Sequence, residues 1–229
     1  MNWFDRNVLW YLFPKRCASC GKIVHKFEEL CSECAKEVEL IKKPCISCGA
    51  DKKQCMCKYL TYRFRGCSGV YMKNDATLRI LYSFKLAEDF RVADYLARQM
   101  SERIVKDFEG IKFDAITAVP IKALKKFEKG YNHSEVLARK ISKIIGVHYK
   151  ETLKYVGKGK SQHTLNRNDR FENVRGLYSA RKIENIKTIL LIDDIKTTGA
   201  SLNECAKELM FAGVEDVYCA VAIVNGKSS

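Results

Sequence analysis

No stretch of the 229-residue chain approaches the roughly 18 to 20 uninterrupted apolar residues that a bilayer crossing requires, so a membrane-spanning helix is not expected. The opening Met-Asn-Trp-Phe-Asp-Arg also lacks the basic region and long apolar run of a secretory leader, which makes the cytoplasm the expected compartment. Only three prolines and 13 glycines are present, without period or low-complexity tract, and this excludes a collagen. A Gly-x4-Gly-Lys phosphate loop is missing as well. Histidine is scarce, and His133, His148 and His163 lack metal-ligand spacing. Acidic residues are in deficit: 27 Asp and Glu face 41 Lys and Arg, for a net charge of +14 spread along the whole chain. A polyanionic partner is expected from that surplus, the alternative being a merely basic soluble protein. With 47% hydrophobic and 30% charged residues, disorder is excluded, and there is apolar material for one ordinary core and a smaller module.

What the chain has in excess is cysteine, and it is unevenly placed. Eight of the 11 cysteines lie in the first 57 residues, leaving Cys67, Cys205 and Cys219 for the rest. Cys17-x2-Cys20 and Cys31-x2-Cys34 form one quartet; Cys45-x2-Cys48 and Cys55-x-Cys57 form another. Two intervening residues let a tight turn aim both sulfurs at one ion, and a second pair must return to close the tetrahedron. Gly21 and Gly49, each directly after a Cys-x2-Cys, suit such turns. A disulfide framework is the competing reading, and it conflicts with the missing leader. Pairing within each quartet is the simplest assignment, with a cross-braced arrangement left open. Two structural zinc ions are therefore expected, with no open coordination position for hydrolysis. Each such centre counts −2, which lowers +14 to about +10. The expected division is a helix and a double four-cysteine zinc-finger module over 1–60, then one domain over 61–229. His25 and the interior Cys205 and Cys219 read as a surface histidine and small core residues.

Ahead of the first quartet, Trp3, Phe4, Val8, Leu9, Trp10, Leu12 and Phe13 predict a short amphipathic helix ended by Pro14, docking on a neighbouring surface or lying at a membrane interface. Beyond Arg63 the pattern alternates. Gly69-Val-Tyr71 predicts a strand; Leu78, Leu81, Tyr82, Val92, Tyr95, Leu96 and Met100 recur at helical intervals; Asp114 to Pro120 predicts a short strand. Val136, Leu137, Ile141, Ile144 and Ile145 mark a helix face that Gly146 ends, with Asn132-His-Ser-Glu135 as its start. Thr188-Ile-Leu-Leu-Ile192 reads as a buried strand, Leu202, Cys205, Ala206, Leu209 and Met210 as a helix face, and Val217 to Val224 as a closing strand. Alternating strands and helices imply an α/β fold with a doubly wound parallel sheet, whose ligands bind beyond the carboxyl ends of strands.

The most informative segment is Asp193-Asp194-Ile-Lys196-Thr197-Thr198-Gly199-Ala200-Ser201, where a strand runs into a helix through hydroxyls and small residues. Unpaired N–H groups and the dipole at a helix start favour a phosphate. Thr197, Thr198 and Ser201 add donors, and Gly199 allows close backbone approach. Two adjacent carboxylates repel unless something positive or hydrogen-donating lies between them, and a ribose diol with Mg(II) meets that demand. An N-cap and a polar turn would account for one Asp and one Thr, not the whole run.

This segment resembles the phosphoribosyl pyrophosphate (PRPP) motif of type I phosphoribosyltransferases. Ala118-Val-Pro-Ile121, Lys129-Gly-Tyr-Asn-His-Ser-Glu-Val-Leu137, Lys160-Ser-Gln-His-Thr-Leu-Asn-Arg167 and Arg170-Phe-Glu-Asn-Val-Arg-Gly176, with cysteine knuckles preceded by Leu12-Phe13-Pro14, resemble in order the motifs of the ComF (ComFC) family. The resemblance covers almost the full length. It implies a type I phosphoribosyltransferase-like sheet with a small N-terminal zinc-binding module, and a link to natural competence and uptake of transforming DNA. By position, Asp193 and Asp194 would meet the ribose hydroxyls, Lys196 and 197–201 the 5′-phosphate, and the turn of Val119 and Pro120 the pyrophosphate. Ser201 stands where Thr is frequent and keeps the hydroxyl.

If the protein is catalytic, C1–O cleavage builds negative charge on pyrophosphate, which Mg(II), Arg167, Arg170 or Arg175 would stabilise from a lid over 154–175. Equally, Lys158, Lys160, Arg167, Arg170 and Arg175, with Tyr155 and Phe171, offer phosphate pairing beside stacking rings for single-stranded DNA. His133 and His163 read as polar contacts. Two hypotheses follow: an Mg-dependent transferase acting on PRPP and an unidentified acceptor, and a PRPP-site binding protein that handles incoming single-stranded DNA beside competence proteins such as an uptake helicase. A third reading makes the zinc module a protein-docking element.

Overall fold

The computed structural model describes residues 14–55, 57, 60–86, 90–157 and 167–226, and only the backbone of 86, 125, 126, 129 and 167–170. The aromatic positions from Trp3 to Phe13, together with Lys158, Lys160 and His163, lie outside the described residues.

The first cysteine pair sits on a turn closed by an antiparallel bridge of Arg16 to Ile23, with Gly21 at φ +76°. Only a residue without Cβ takes that left-handed conformation cheaply. The second pair opens helix α1 (Ser32–Glu37), where Cys31 is the N-cap and its Sγ accepts from the Cys34 N–H. A second ribbon follows, bridged at Pro44 and Asp51, and a 3-10 turn (Lys52–Gln54) is capped by Asp51.

Four strands form the main sheet: β1 (Gly66–Met72), β2 (Ala115–Ala118), β5 (Thr188–Lys196) and β6 (Asp216–Val224), in the order β1-β6-β5-β2 and parallel throughout. Residues 148–150 extend it beside β2, where Ile116 bridges Tyr149. A parallel sheet is covered on both faces, which is why Ile189 to Ile192 is a continuous apolar run without solvent exposure. Helices α2 (Asp75–Leu86), α3 (Phe90–Asp107) and α5 (His133–Ile145) cover one face, burying Leu96, Met100, Leu137 and Ile141 against Leu190 and Ile192. On the other face α7 (Ala200–Phe211) packs Leu202, Cys205 and Leu209 on Leu191 and Val221. Cys205 and Cys219 are fully buried core residues, as expected.

Several boundaries differ from the sequence reading. Strand β5 runs on to Lys196, because β6 keeps pairing through Ile223 and Val224 after β2 leaves at Ala118. Ile144, expected on the buried face of α5, is 51% exposed: Leu137, Ala138 and Ile141 define that face and Ile144 falls at its margin. An antiparallel pair, β3 (Leu153–Tyr155) and β4 (Tyr178–Ala180), and two short helices, α4 (Ala123–Lys129) and α6 (Arg167–Val174), had no strong periodic signal. Among the described residues no helix is long and apolar enough to cross a membrane.

Both ribbons pack on the α/β unit. Leu40 bridges Tyr71 antiparallel and Ile41 N–H donates to Val70, so the connection between ribbons covers the free edge of β1. Ser19 Oγ of the first ribbon donates to the Ala76 carbonyl of α2, and Arg98 of α3 pairs with Glu29.

Candidate phosphate pocket and zinc centres

Strands β2 and β5 part at their carboxyl ends because the chain leaves β2 outward through α5 to the 148–150 edge and returns to β5 on the other side. That divergence is where an open α/β sheet provides a crevice. The loop 197–199 follows β5 at this end of the sheet and feeds α7. Gly199 is the N-cap of α7 at φ +84°, and no side chain caps it. The first N–H groups of the helix therefore face the crevice with little competition; Thr198 Oγ1 takes one long bond from Ala200 N–H at 3.3 Å. A cavity of about 100 Å³ lies there, lined by Val174, Asp193, Thr197, Thr198, Gly199 and Ser201 among others.

The two adjacent aspartates point differently, as neighbours on a strand must. Asp193 lines the cavity, its Oδ1 accepting from Ser134 Oγ at 2.8 Å and from the Asp194 N–H at 2.9 Å. Burial, and then the neighbouring Asp194 charge, push the Asp193 carboxyl up to about 7. Asp194 is buried toward α2 and pairs with Lys85. Only one of the pair therefore lines the cavity in this conformation. Lys196 is 4% exposed, and its ammonium stands 5.1 Å over the Tyr62 ring rather than in solvent. The turn holding Val119 and Pro120 follows β2 at the same end of the sheet; Val119 N–H donates to the Ile192 carbonyl, and Asn132 Nδ2 donates to the Val119 carbonyl. Beside it a cleft of about 210 Å³ is walled by Pro120, Tyr149, Glu151 and Tyr155.

Of the basic positions, Arg175 is exposed at the end of α6, 3.8 Å from Glu172, and Val174 next to it reaches the cavity. Gly176 N–H donates to the buried Glu204 of α7, which anchors that segment beside the pocket. Arg167 and Arg170 lie on α6, and their side chains are outside the description. His133 is buried edge-on to Phe84, and His25 is exposed.

Each cysteine quartet comes together. The sulfurs of Cys17, Cys20, Cys31 and Cys34 all lie within 4.8 Å of one another, and so do those of Cys45, Cys48, Cys55 and Cys57. A tetrahedron with metal–sulfur bonds of about 2.3 Å has edges of about 3.8 Å. Observed separations of 3.7 Å (Cys20 to Cys31), 3.8 Å (Cys45 to Cys57) and 3.6 Å (Cys48 to Cys55) match it. They are too long for a disulfide, which holds its sulfurs at about 2.05 Å. Burial raises the Cys17 thiol, but N–H groups of Cys20, Cys31 and Ser19 outweigh it and hold the group at about 7, ready to lose its proton to a metal. The chain thus has two four-thiolate zinc sites paired within quartets.

Sequence reasoning missed Ser134 as an Asp193 partner, Lys85, and Tyr62, whose Oη donates to the Thr198 carbonyl at 3.0 Å. It also passed over Lys42, Lys43, Lys52 and Lys53. All four are exposed, and Lys52 N–H bonds the Lys43 carbonyl, so two lysine pairs sit side by side on the second ribbon. The paired doublets Lys42-Lys43 and Lys52-Lys53 were the available signal.

A family model described as the double zinc ribbon domain matches residues 8–60. Competence protein F of Haemophilus influenzae is 28% identical over 145 residues, covering 60% of this chain and 63% of that protein. Competence protein ComFC of Streptococcus pneumoniae is 27% identical over 148 residues, covering 65% and 63%. The aligned region thus spans 63% of the length of both curated relatives. Among solved structures, adenine phosphoribosyltransferase from Thermoanaerobacter pseudethanolicus overlaps 69% of this chain and 90% of that chain at 15% identity, with a TM-score of 0.38.

Proposed function

Because this chain belongs to the ComF family, we propose that it binds PRPP or a related ribose phosphate at the end of β5 and serves DNA uptake in natural competence, with single-stranded DNA on its basic surface. The observation that carries the reading is the meeting of the α7 N-terminus, whose N-cap Gly199 offers no side chain, with three hydroxyl-bearing residues and Asp193 around a cavity of phosphate size. The 5′-phosphate lies on 197–201, the ribose hydroxyls face Asp193, and the pyrophosphate extends toward Val119 and Pro120. Asp194 joins the ribose only when its pair with Lys85 opens. The Asp193 carboxylate and the Thr197, Thr198 and Ser201 hydroxyls offer oxygen ligands of the kind Mg(II) takes, beside Lys196, which lines the same cavity; Mg(II) would arrive with the pyrophosphate and neutralise part of its charge.

Isothermal titration of zinc-loaded protein with PRPP and Mg(II) tests the pocket. Asp193→Ala should weaken binding at least tenfold while two zinc ions per chain remain. Unchanged affinity in that variant would remove the assigned site.

For single-stranded DNA, the lysine pairs of the second ribbon join Arg175 and the basic positions 158, 160, 167 and 170 as candidates. Turnover is the second reading, an Mg-dependent phosphoribosyltransferase of nucleotide metabolism without a DNA role. The cleft walled by Tyr149, Glu151 and Tyr155 favours it, because it gives an acceptor room beside the pyrophosphate turn. Pyrophosphate released only when an acceptor is added would mark turnover, and binding without release would mark a sensor.

A further inference from the structure

We propose that Tyr62 and Lys196 are positioning residues that couple the second zinc ribbon to the ribose-phosphate loop, so that metal at Cys45, Cys48, Cys55 and Cys57 and ligand at 197–201 strengthen each other's binding. This rests on the loop being the ribose-phosphate site. The chain leaves the second ribbon at Cys57 and enters β1 at Gly66, and within that short passage it reaches the loop once and the helix that the loop feeds once. Tyr62 Oη donates to the Thr198 carbonyl at 3.0 Å, and Arg63 N–H donates to Asn203 Oδ1 in the first turns of α7 at 2.8 Å. The Tyr62 ring is itself fixed, stacked on the buried Phe64 with centroids 4.6 Å apart and planes 15° from parallel.

Lys196 fills the space between these parts. Its ammonium lies over the Tyr62 ring, and a Cβ at Gly199 would come within 2.9 Å of Tyr62 Cε1 and 3.0 Å of Lys196 Cε. Phosphate loop, tyrosine and lysine stem are therefore in contact at the one residue whose φ lets α7 begin there. A buried ammonium needs negative charge near it. Burial disfavours the Lys196 ammonium, and the Cys48 sulfur acts on it in the opposite sense once it is a metal-bound thiolate, while burial keeps the nearby Cys67 thiol protonated. A zinc centre with four thiolates keeps two negative charges, so metal loading of the second ribbon holds the lysine and, through Tyr62 and Gly199, the loop. Energetic coupling between two binding sites is reciprocal. The first ribbon packs instead on α2 and α3, through Ser19 to Ala76 and Glu29 to Arg98, and makes no such bridge among the described residues.

The experiment follows zinc release from the full chain to a colorimetric chelator, with and without PRPP and Mg(II), beside titrations of PRPP affinity. Cys55→Ser and Cys20→Ser identify which kinetic phase belongs to which ribbon. The expected result is a several-fold slower release from the second ribbon when PRPP is bound, and no change from the first. Tyr62→Phe, which loses only the hydroxyl, should keep two zinc ions, bind PRPP three- to tenfold more weakly and lose most of the protection. Lys196→Met should do the same, with Lys196→Arg restoring protection in part. PRPP binding to the wild type with equal release rates in its presence and absence overturns the coupling alone, as does wild-type behaviour of Tyr62→Phe in both measurements. Absence of PRPP binding by the wild type brings down the ligand reading and the coupling with it.

Discussion

Asp193 is the residue on which the chemistry of the pocket turns, because it is the carboxylate that lines the cavity and it is held near 7, against 3.8 for an ordinary aspartate. A raised carboxyl pKa means that the folded protein binds more protons than the unfolded chain between about pH 4 and 7. Stability contributed by the neutral form is therefore present at low pH and lost as pH rises through that window. Ligand binding runs the other way, since ribose hydroxyls donate to the ionised form. PRPP affinity should climb between pH 6 and 8, and Asp193→Asn should flatten both the affinity profile and the thermal-melting profile over that range. A pH-independent affinity in the wild type would mean that Asp193 does not receive the ribose. The sequence showed two adjacent aspartates and their loop; the different directions they face follow from strand alternation combined with the continuation of β5 beside β6.

At the scale of elements, the second ribbon is seated on β1 at a glycine. A Cβ on Gly69 would stand 2.5 Å from the Gly49 carbonyl oxygen and 2.5 Å from Val224 Cγ2, with Ile41 Cδ1 at 3.1 Å. Backbone cannot yield as a flexible side-chain tip can. Gly69→Ala should therefore cost about 1 to 3 kcal/mol, as overpacked cores do, and make the second zinc easier to remove than the first. Thermal melting with a metal count after mild chelation checks this; an unchanged melting temperature would show that the ribbon is not clamped at this point. Strands β1, β2, β5 and β6 were readable as short apolar runs because the parallel sheet is buried on both faces, and the core-facing turns of α3, α5 and α7 because one-sided burial imposes a period on them. The β3–β4 pair and α4 were not, since short half-exposed elements repeat too few times to show any.

For the molecule as a whole, the +14 charge predicts a polyanion and the lysine pairs predict where it lies. Affinity for single-stranded DNA should fall steeply with salt, and replacing Lys42, Lys43, Lys52 and Lys53 by Gln should reduce the logarithmic slope by about 0.7 for each lysine that meets a phosphate. Fluorescence anisotropy at several salt concentrations measures this, and an unaltered slope would move the DNA to another face. The sequence by itself determined the two cysteine quartets, the order of the main-sheet strands and the helices that cover them, and the strand–loop–helix proposed here to hold a phosphate, since each is written in a local run or spacing of residues. Only the tertiary structure decided that Lys85 ties Asp194, that Ser134 holds Asp193, and that Tyr62 reaches Thr198 across 136 residues. Such partners meet because helices and ribbons pack on a common sheet, and packing brings together side chains whose spacing along the chain bears no mark of it.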